Sequence, residues 1–141
     1  DVTTRVAHEV AHCNSRQVVR GVLDDNARGV FQGQVRVAPH AQKTDGQQMS
    51  RALLLSRDAE ADAKPELEIF ADDVVCSHGA TVGELDETNL FYLRSRGISE
   101  ADARAMLIEA FLIEALAEIR HDRFAEMFRP FISGWQASVK G

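Results

Sequence analysis

The stretch GVFQGQVRVAP, residues 29–39, decides the fold. Within it Phe31, Gly33, Val35 and Val37 alternate with Val30, Gln32, Gln34 and Arg36. Successive residues of an extended chain point to opposite faces, so this period of two predicts a strand with one apolar or small face. Gly33 stands on that face, where a missing side chain lets a neighbouring layer approach closely. Working outward, VVRGVL (18–23), RALLLS (51–56), PELEIFADDVVC (65–76) and the opening VTTRVAHEVAH (2–12) carry the same short-strand signature. The turn-rich segments LDDNARG (23–29) and KTDGQQ (43–48) separate them. No helix-length segment intervenes. Many short strands at irregular spacing predict a sandwich, a barrel or a coiled parallel solenoid, and composition does not choose among the three.

The period changes near residue 85, which divides the chain into a β part, 1–84, and a helical part, 85–141. Asp86 or Glu87 starts a short helix through TNLFYLRSR, and Gly97 stops it by taking the left-handed terminal conformation. Ser99 caps a second helix whose first turn holds Glu100 and Asp102, where exposed amides favour negative charge. On that helix Ile108, Phe111, Leu112, Ala115, Leu116 and Ile119 fall within an arc of about 140°. Met106 and Ile113 widen the arc, as they would in a helix deeply buried in its own domain or one touching a second subunit. In the last segment, DRFAEMFRPFISGW (122–135), Pro130 is expected to bend or end the helix, and Lys140 and Gly141 to fray.

A chain of 141 residues is long enough for one domain with a core, or for part of a larger one. It opens at Asp1 in the middle of strand pattern, so it reads as a piece of a longer protein. The formal charge of −6, with no basic block, opposes a phosphate backbone and argues against nucleic acid. No apolar run approaches the ~20 residues that span a bilayer, so no membrane association and a soluble piece are expected. Cys13 and Cys76 form no CxxC pair, which fits a reducing, cytoplasmic setting better than a disulfide framework.

The chemistry concentrates in ADDVVCSHGATVG, 71–83. In an extended strand Cys76 and His78 project from one face, and a thiolate with an imidazole suits zinc or the iron of a cluster. Two ligands are too few for a complete site. His8, His12, Cys13, His40 and His121 offer no spacing that completes one, although a strand would turn His8 and His12 to the same side. Ordinary hydrogen-bonded structure competes for each of these histidines. A Cys-His catalytic pair lacks any arguable oxyanion donors or cleft. Asp72 and Asp73 read as a turn between strands rather than as paired acids.

Four blocks then carry a family resemblance: CNSRQVVRGVL, GVFQGQVRVAPHAQKTDGQQMSRALLLS, KPELEIFADDVVCSHGATVG and LFYLRSRGIS. In that order and at close spacing, from about residue 13 to about residue 118, they resemble the carboxy-terminal part of the SufB/SufD family of iron-sulfur cluster assembly proteins. CSHGATVG and AQKTDGQ resemble its SufD branch. The resemblance implies the last rungs of a right-handed parallel β-helix followed by a small helical domain. It implies a non-catalytic scaffold that pairs with SufB through β-helix edges and docks the ATPase SufC through the helices.

In the family, a cysteine of SufB and a histidine of SufD serve cluster assembly at their junction. Carried over, the histidine is His78 with Cys76 beside it, a half-site completed by another chain. The cluster is then transient cargo of the full complex, and the isolated piece is expected to bind no cofactor. It could pair with a second copy through the same edge. Leu90, Phe91, Tyr92, Arg94, Arg96 and Gly97 match the family block LFYLRSRG; Phe91, Tyr92, Arg94, Arg96 and Gly97 become SufC-docking candidates, whereas Leu90 and Leu93 suit packing within the chain. The competing classes are a self-sufficient metal-binding module and a β-helix protein acting on acidic carbohydrate. The second is disfavoured because Asp24, Asp25, Asp72 and Asp73 sit in linkers, and no strand-borne acidic cluster alternates with basic or aromatic sugar-binding residues.

Overall fold

Extended backbone dominates the first part of the chain, and helix the second. In the computed structural model, which describes residues 1–119 and 121–139, the strands are β1 (Val2–His8), β2 (Asn14–Leu23), β3 (Arg28–Val37), β4 (Asp45–Leu54), β5 (Glu60–Ile69) and β6 (Val75–Glu84). Helices α1 (Glu87–Ser95), α2 (Glu100–Leu116) and α3 (Asp122–Val139) follow. Two compact units result, Asp1–Gly83 and Glu84–Gly141.

In the first unit the strands deal out alternately into two parallel three-stranded sheets, ordered β1-β3-β5 and β2-β4-β6. Val2 lies opposite Phe31, Asn14 opposite Asp45 and Arg28 opposite Glu60, offsets of 29, 31 and 32 residues. Each strand therefore pairs with the next but one, after the chain has visited the other sheet. The alternation read from β3 decides what lies between the sheets: Phe31, Gly33, Val35 and Val37 are all buried. Val35 and Val37 form a core with Ala38, Ala41 and Ala71, and Leu67, Val74 and Cys76 pack against it. The approach at Gly33 is as close as a glycine there requires. A Cβ would stand 2.3 Å from Gln48 Nε2 and 2.6 Å from Phe31 Cζ.

Some strand limits differ from those expected. KTDGQQ has the composition of a linker, yet β4 starts at Asp45, because Asp45 N donates to Cys13 O at 2.9 Å and opens the ladder to β2. Interstrand hydrogen bonds outweigh the local turn preference of Asp-Gly. Strand β5 begins five residues before Pro65, which is tolerated because among the described residues β5 borders only one neighbour. His12 does not share a face with His8: β1 ends at His8, and His12 sits beyond it at φ 62°, its N–H donating to Gln42 O at 2.8 Å. Asp72 and Asp73 do lie in the turn between β5 and β6, where Asp73 N donates to Gln42 Oε1 at 2.9 Å and Lys43 pairs with the Asp73 carboxylate.

In the second unit, Asp86 caps α1 by accepting from Thr88 N at 2.8 Å and Asn89 N at 3.1 Å. The helix gives way at Gly97, φ +86°, a conformation a Cβ would oppose. Ser99 Oγ accepts from Asp102 N at 3.2 Å and so caps α2. Ala103 and Ile108 are the buried residues of α2, whereas Met106 is 48 % exposed. Pro130 does not end α3, which continues to Val139; the fixed φ of proline is itself helical. Phe124, Met127, Phe128 and Phe131 form an exposed apolar row on that helix. Lys140 and Gly141, expected to fray, lie outside the described residues. Among the described residues no helix is long and apolar enough to cross a membrane.

Candidate functional site

Strand β6 carries the Cys-Ser-His motif and lies at the edge of its sheet, beside β4. The motif sits inside the strand, which runs on through Gly79 and Gly83. Val75 N donates to Thr44 O at 2.9 Å, the same relation that links Asp45 N to Cys13 O where Asn14 faces Asp45. By that geometry Gly46 lies opposite Cys76 and Gln48 opposite His78. Two contacts agree with this register: a Cβ on Gly46 would meet Cys76 Sγ at 3.3 Å, and one on Gly79 would meet Met49 Cε at 2.9 Å.

Cys76 thus turns toward the space between the sheets. It is half-buried, packed against the Val35 cluster, with Gly46 providing the room for its sulfur. His78, two residues on, belongs to the same face but is exposed, because no described strand continues the sheet beyond β6. The motif therefore splits into an inward thiol anchored by the core and an imidazole open to the surroundings. Among the described residues no group of three or more His, Cys, Asp or Glu side chains is arranged to hold a metal ion. A thiol and an imidazole together supply two of the four ligands that zinc or a cluster iron takes.

The other histidines sort themselves by environment. His8, 5 % exposed, is tied through Nε2 to Ser15 Oγ at 2.8 Å, a satisfied core histidine. His121 meets the Phe124 ring edge-on with centroids 5.2 Å apart. His40 lies exposed in the loop before β4.

On α1 the block Leu90–Gly97 also divides. Leu90 and Leu93 are half-buried, while Phe91 is 73 % and Tyr92 54 % exposed. The Arg96 guanidinium lies 4.7 Å over the Tyr92 ring, a cation–π pair that holds both in place. Arg94 Nη1 reaches Glu100 Oε2 at 3.3 Å, an exposed pair of small energetic weight that orients the side chain. An exposed aromatic surface framed by two arginines is the result.

Residues 1–111 match the sequence model of a family described as SUF system FeS cluster assembly, SufBD core domain. The chain belongs to that family. It is 50% identical over 122 residues to the iron-sulfur cluster assembly protein SufD of Escherichia coli (strain K12), covering 86% of this chain and 29% of that protein. An iron-sulfur cluster assembly SufBD family protein of Synechocystis is 44% identical over 119 residues, covering 84% of this chain and 26% of the relative. SufD of Bacillus subtilis (strain 168) is 37% identical over 117 residues, covering 83% and 27%. The chain spans under a third of the length of these curated relatives.

The SufBD match takes in every strand, α1 and most of α2, so Cys76, His78 and the block from Phe91 to Gly97 all lie inside it. Two features went unnoticed in the sequence. The apolar row on α3 is masked in the sequence by Pro130, though its spacing of three and four residues is a helical signature. Gln48, buried opposite His78, falls in the turn-rich segment KTDGQQ; its sequence signal is the alternation of Gly46, Gln48 and Ser50 once β4 is known to start at Asp45.

Proposed function

We propose that this SufBD-family chain is scaffold for iron-sulfur cluster assembly, contributing half of a site that SufB completes. The observation that carries the proposal is His78, exposed on an edge strand with Cys76 anchored beneath it on the same face. An edge strand presents free amides and carbonyls that a strand of another chain can satisfy, and pairing there brings a partner's ligands to the imidazole. A site divided between chains also opens when they move, as a cluster that must leave requires. The alternating strands are then carboxy-terminal rungs of a right-handed parallel β-helix, an arrangement supported by parallel pairing at intervals of about thirty residues. The chain has no catalysis of its own in this reading. It works in the reducing cytoplasm, which suits its two free cysteines.

Anaerobic reconstitution with ferrous iron and sulfide tests the proposal against a self-sufficient metal module. Cluster should accumulate only when SufB is present. Stoichiometric iron on the chain alone would favour the rival reading. Carbohydrate chemistry has less support, because Asp24, Asp25, Asp72 and Asp73 all lie between strands.

The helical unit is the proposed docking surface for SufC, with Phe91, Tyr92, Arg94, Arg96 and Gly97 at its centre. Aromatic and arginine side chains dominate interface energetics. Replacing Arg94 and Arg96 together by Glu should weaken SufC association at least about tenfold, the effect of losing some 1.4 kcal/mol. Far-UV circular dichroism should not change, since both side chains are exposed. Unaltered SufC affinity returns the block to packing within the chain.

A further inference from the structure

Thr4, Gln17 and Gln48 carry buried polar atoms that have no hydrogen-bond partner among the described residues: Thr4 Oγ1, Gln17 Nε2, and both Nε2 and Oε1 of Gln48, a residue only 2 % exposed. Buried polar groups are nearly always paired, with protein or with ordered water, so a cluster of orphans points to a bound molecule. These three share one level of the interior. Thr4 lies opposite Gly33 in one sheet, and Gln17 opposite Gln48 in the other. Gly33 and Gln48 face each other across the gap, since a Cβ on the glycine would fall 2.3 Å from Gln48 Nε2. Strands in a sheet lie about 4.8 Å apart, a spacing that one small molecule can bridge where side chains do not meet directly.

The next level along the strands supplies room. Val2, Phe31, Val19 and Ser50 each stand two residues from Thr4, Gly33, Gln17 and Gln48 on the same faces, and they line a cavity of about 160 Å³ between the sheets. That is more space than one water needs, and the cavity is partly open, which provides an entry path.

We propose that an ordered internal water joins Gln48 to Gln17 and Thr4 and closes this polar level between the sheets. The chemistry of the level selects the ligand. Its orphan atoms are amide N–H donors, one amide oxygen that accepts, and one hydroxyl that can do either. A metal cation would need several oxygen ligands, carboxylates among them, and Thr4, Gln17 and Gln48 bring no carboxylate. A buried anion would need a cation to offset its desolvation, and these side chains bring none. Water donates and accepts, so it suits the mixed set. Gly33 has a part in the arrangement, because a side chain there would push the Gln48 carboxamide out of the level. The inference is independent of the role proposed for His78.

Water-selected nitrogen-15 NMR on the whole protein tests it. In the wild type the side-chain N–H groups of Gln17 and Gln48 should each show a cross-relaxation peak to water, with the rotating-frame sign that excludes proton exchange. Oxygen-17 relaxation dispersion detects the water oxygen itself and ignores the Thr4 hydroxyl. Its amplitude should drop by at least one long-lived water per chain in the double variant Gln17→Met, Gln48→Met. Equal amplitude in the folded double variant would overturn the proposal. So would a missing water peak at either carboxamide of the wild type, which decides the matter even if the double variant fails to fold.

Discussion

His78→Ala is expected to abolish cluster accumulation on the assembled SufBD-type complex while leaving the fold intact. The two halves of that expectation have different origins. His78 is exposed on an edge strand, and surface replacements away from caps, ion pairs and cavities usually change stability by no more than about 0.5 kcal/mol. The ligand loss is of another order, because an alanine offers no donor atom and an aliphatic side chain cannot replace an imidazole at iron. Cluster absorbance and iron content on the purified complex should drop at least about tenfold, with an unchanged thermal midpoint. Normal yield from this variant would remove His78 from the chemistry.

Cys76 does not permit so clean a test. Its sulfur fills the place left by Gly46 and packs on Val35, so any replacement perturbs the core together with the site.

The contrast between these neighbours also marks how far the sequence could be read. Their spacing placed both side chains on one face, which followed from the period of a strand alone. That one is anchored and the other open depends on β6 being an edge, a fact of tertiary pairing that no local pattern carries. The same holds for the sheets. Val35 and Val37 announced an inward face, but their ladder partners lie about thirty residues away in either direction, beyond the reach of any window. Asp45 and Gly46 were hidden for the opposite reason: their local chemistry favours a turn, and the bond from Asp45 N to Cys13 O overrides it. Asp86, Gly97 and Ser99, by contrast, were legible because a cap is satisfied by atoms within four residues. Family resemblance reached the motif that periodicity could not interpret, yet Gln48 stayed invisible to both.

Placing a carboxylate at position 35 should produce the largest loss of stability. Val35 is fully buried at the centre of the β1-β3-β5 sheet, opposite Val6 and Leu67. Val35→Asp would put an ionisable group among alanines and valines with no cation among them. Burying such a charge unpaired costs several kcal/mol even after the group protonates or water enters, a sizeable part of the ~5–15 kcal/mol that holds a domain together. Val35→Thr, similar in shape but with one hydroxyl, should cost only about 1–3 kcal/mol. Urea unfolding followed by the β-sheet circular dichroism signal measures both, and an unchanged midpoint for Val35→Asp would contradict the core described here. The consequence reaches the site through contact. Cys76 packs on the Val35 cluster, so loosening it should free β6 from β4 and scatter the residues that display His78. Cluster yield should then fall together with the folded fraction, whereas in His78→Ala it falls alone. That difference in covariation separates a residue that builds the edge from one that acts on it.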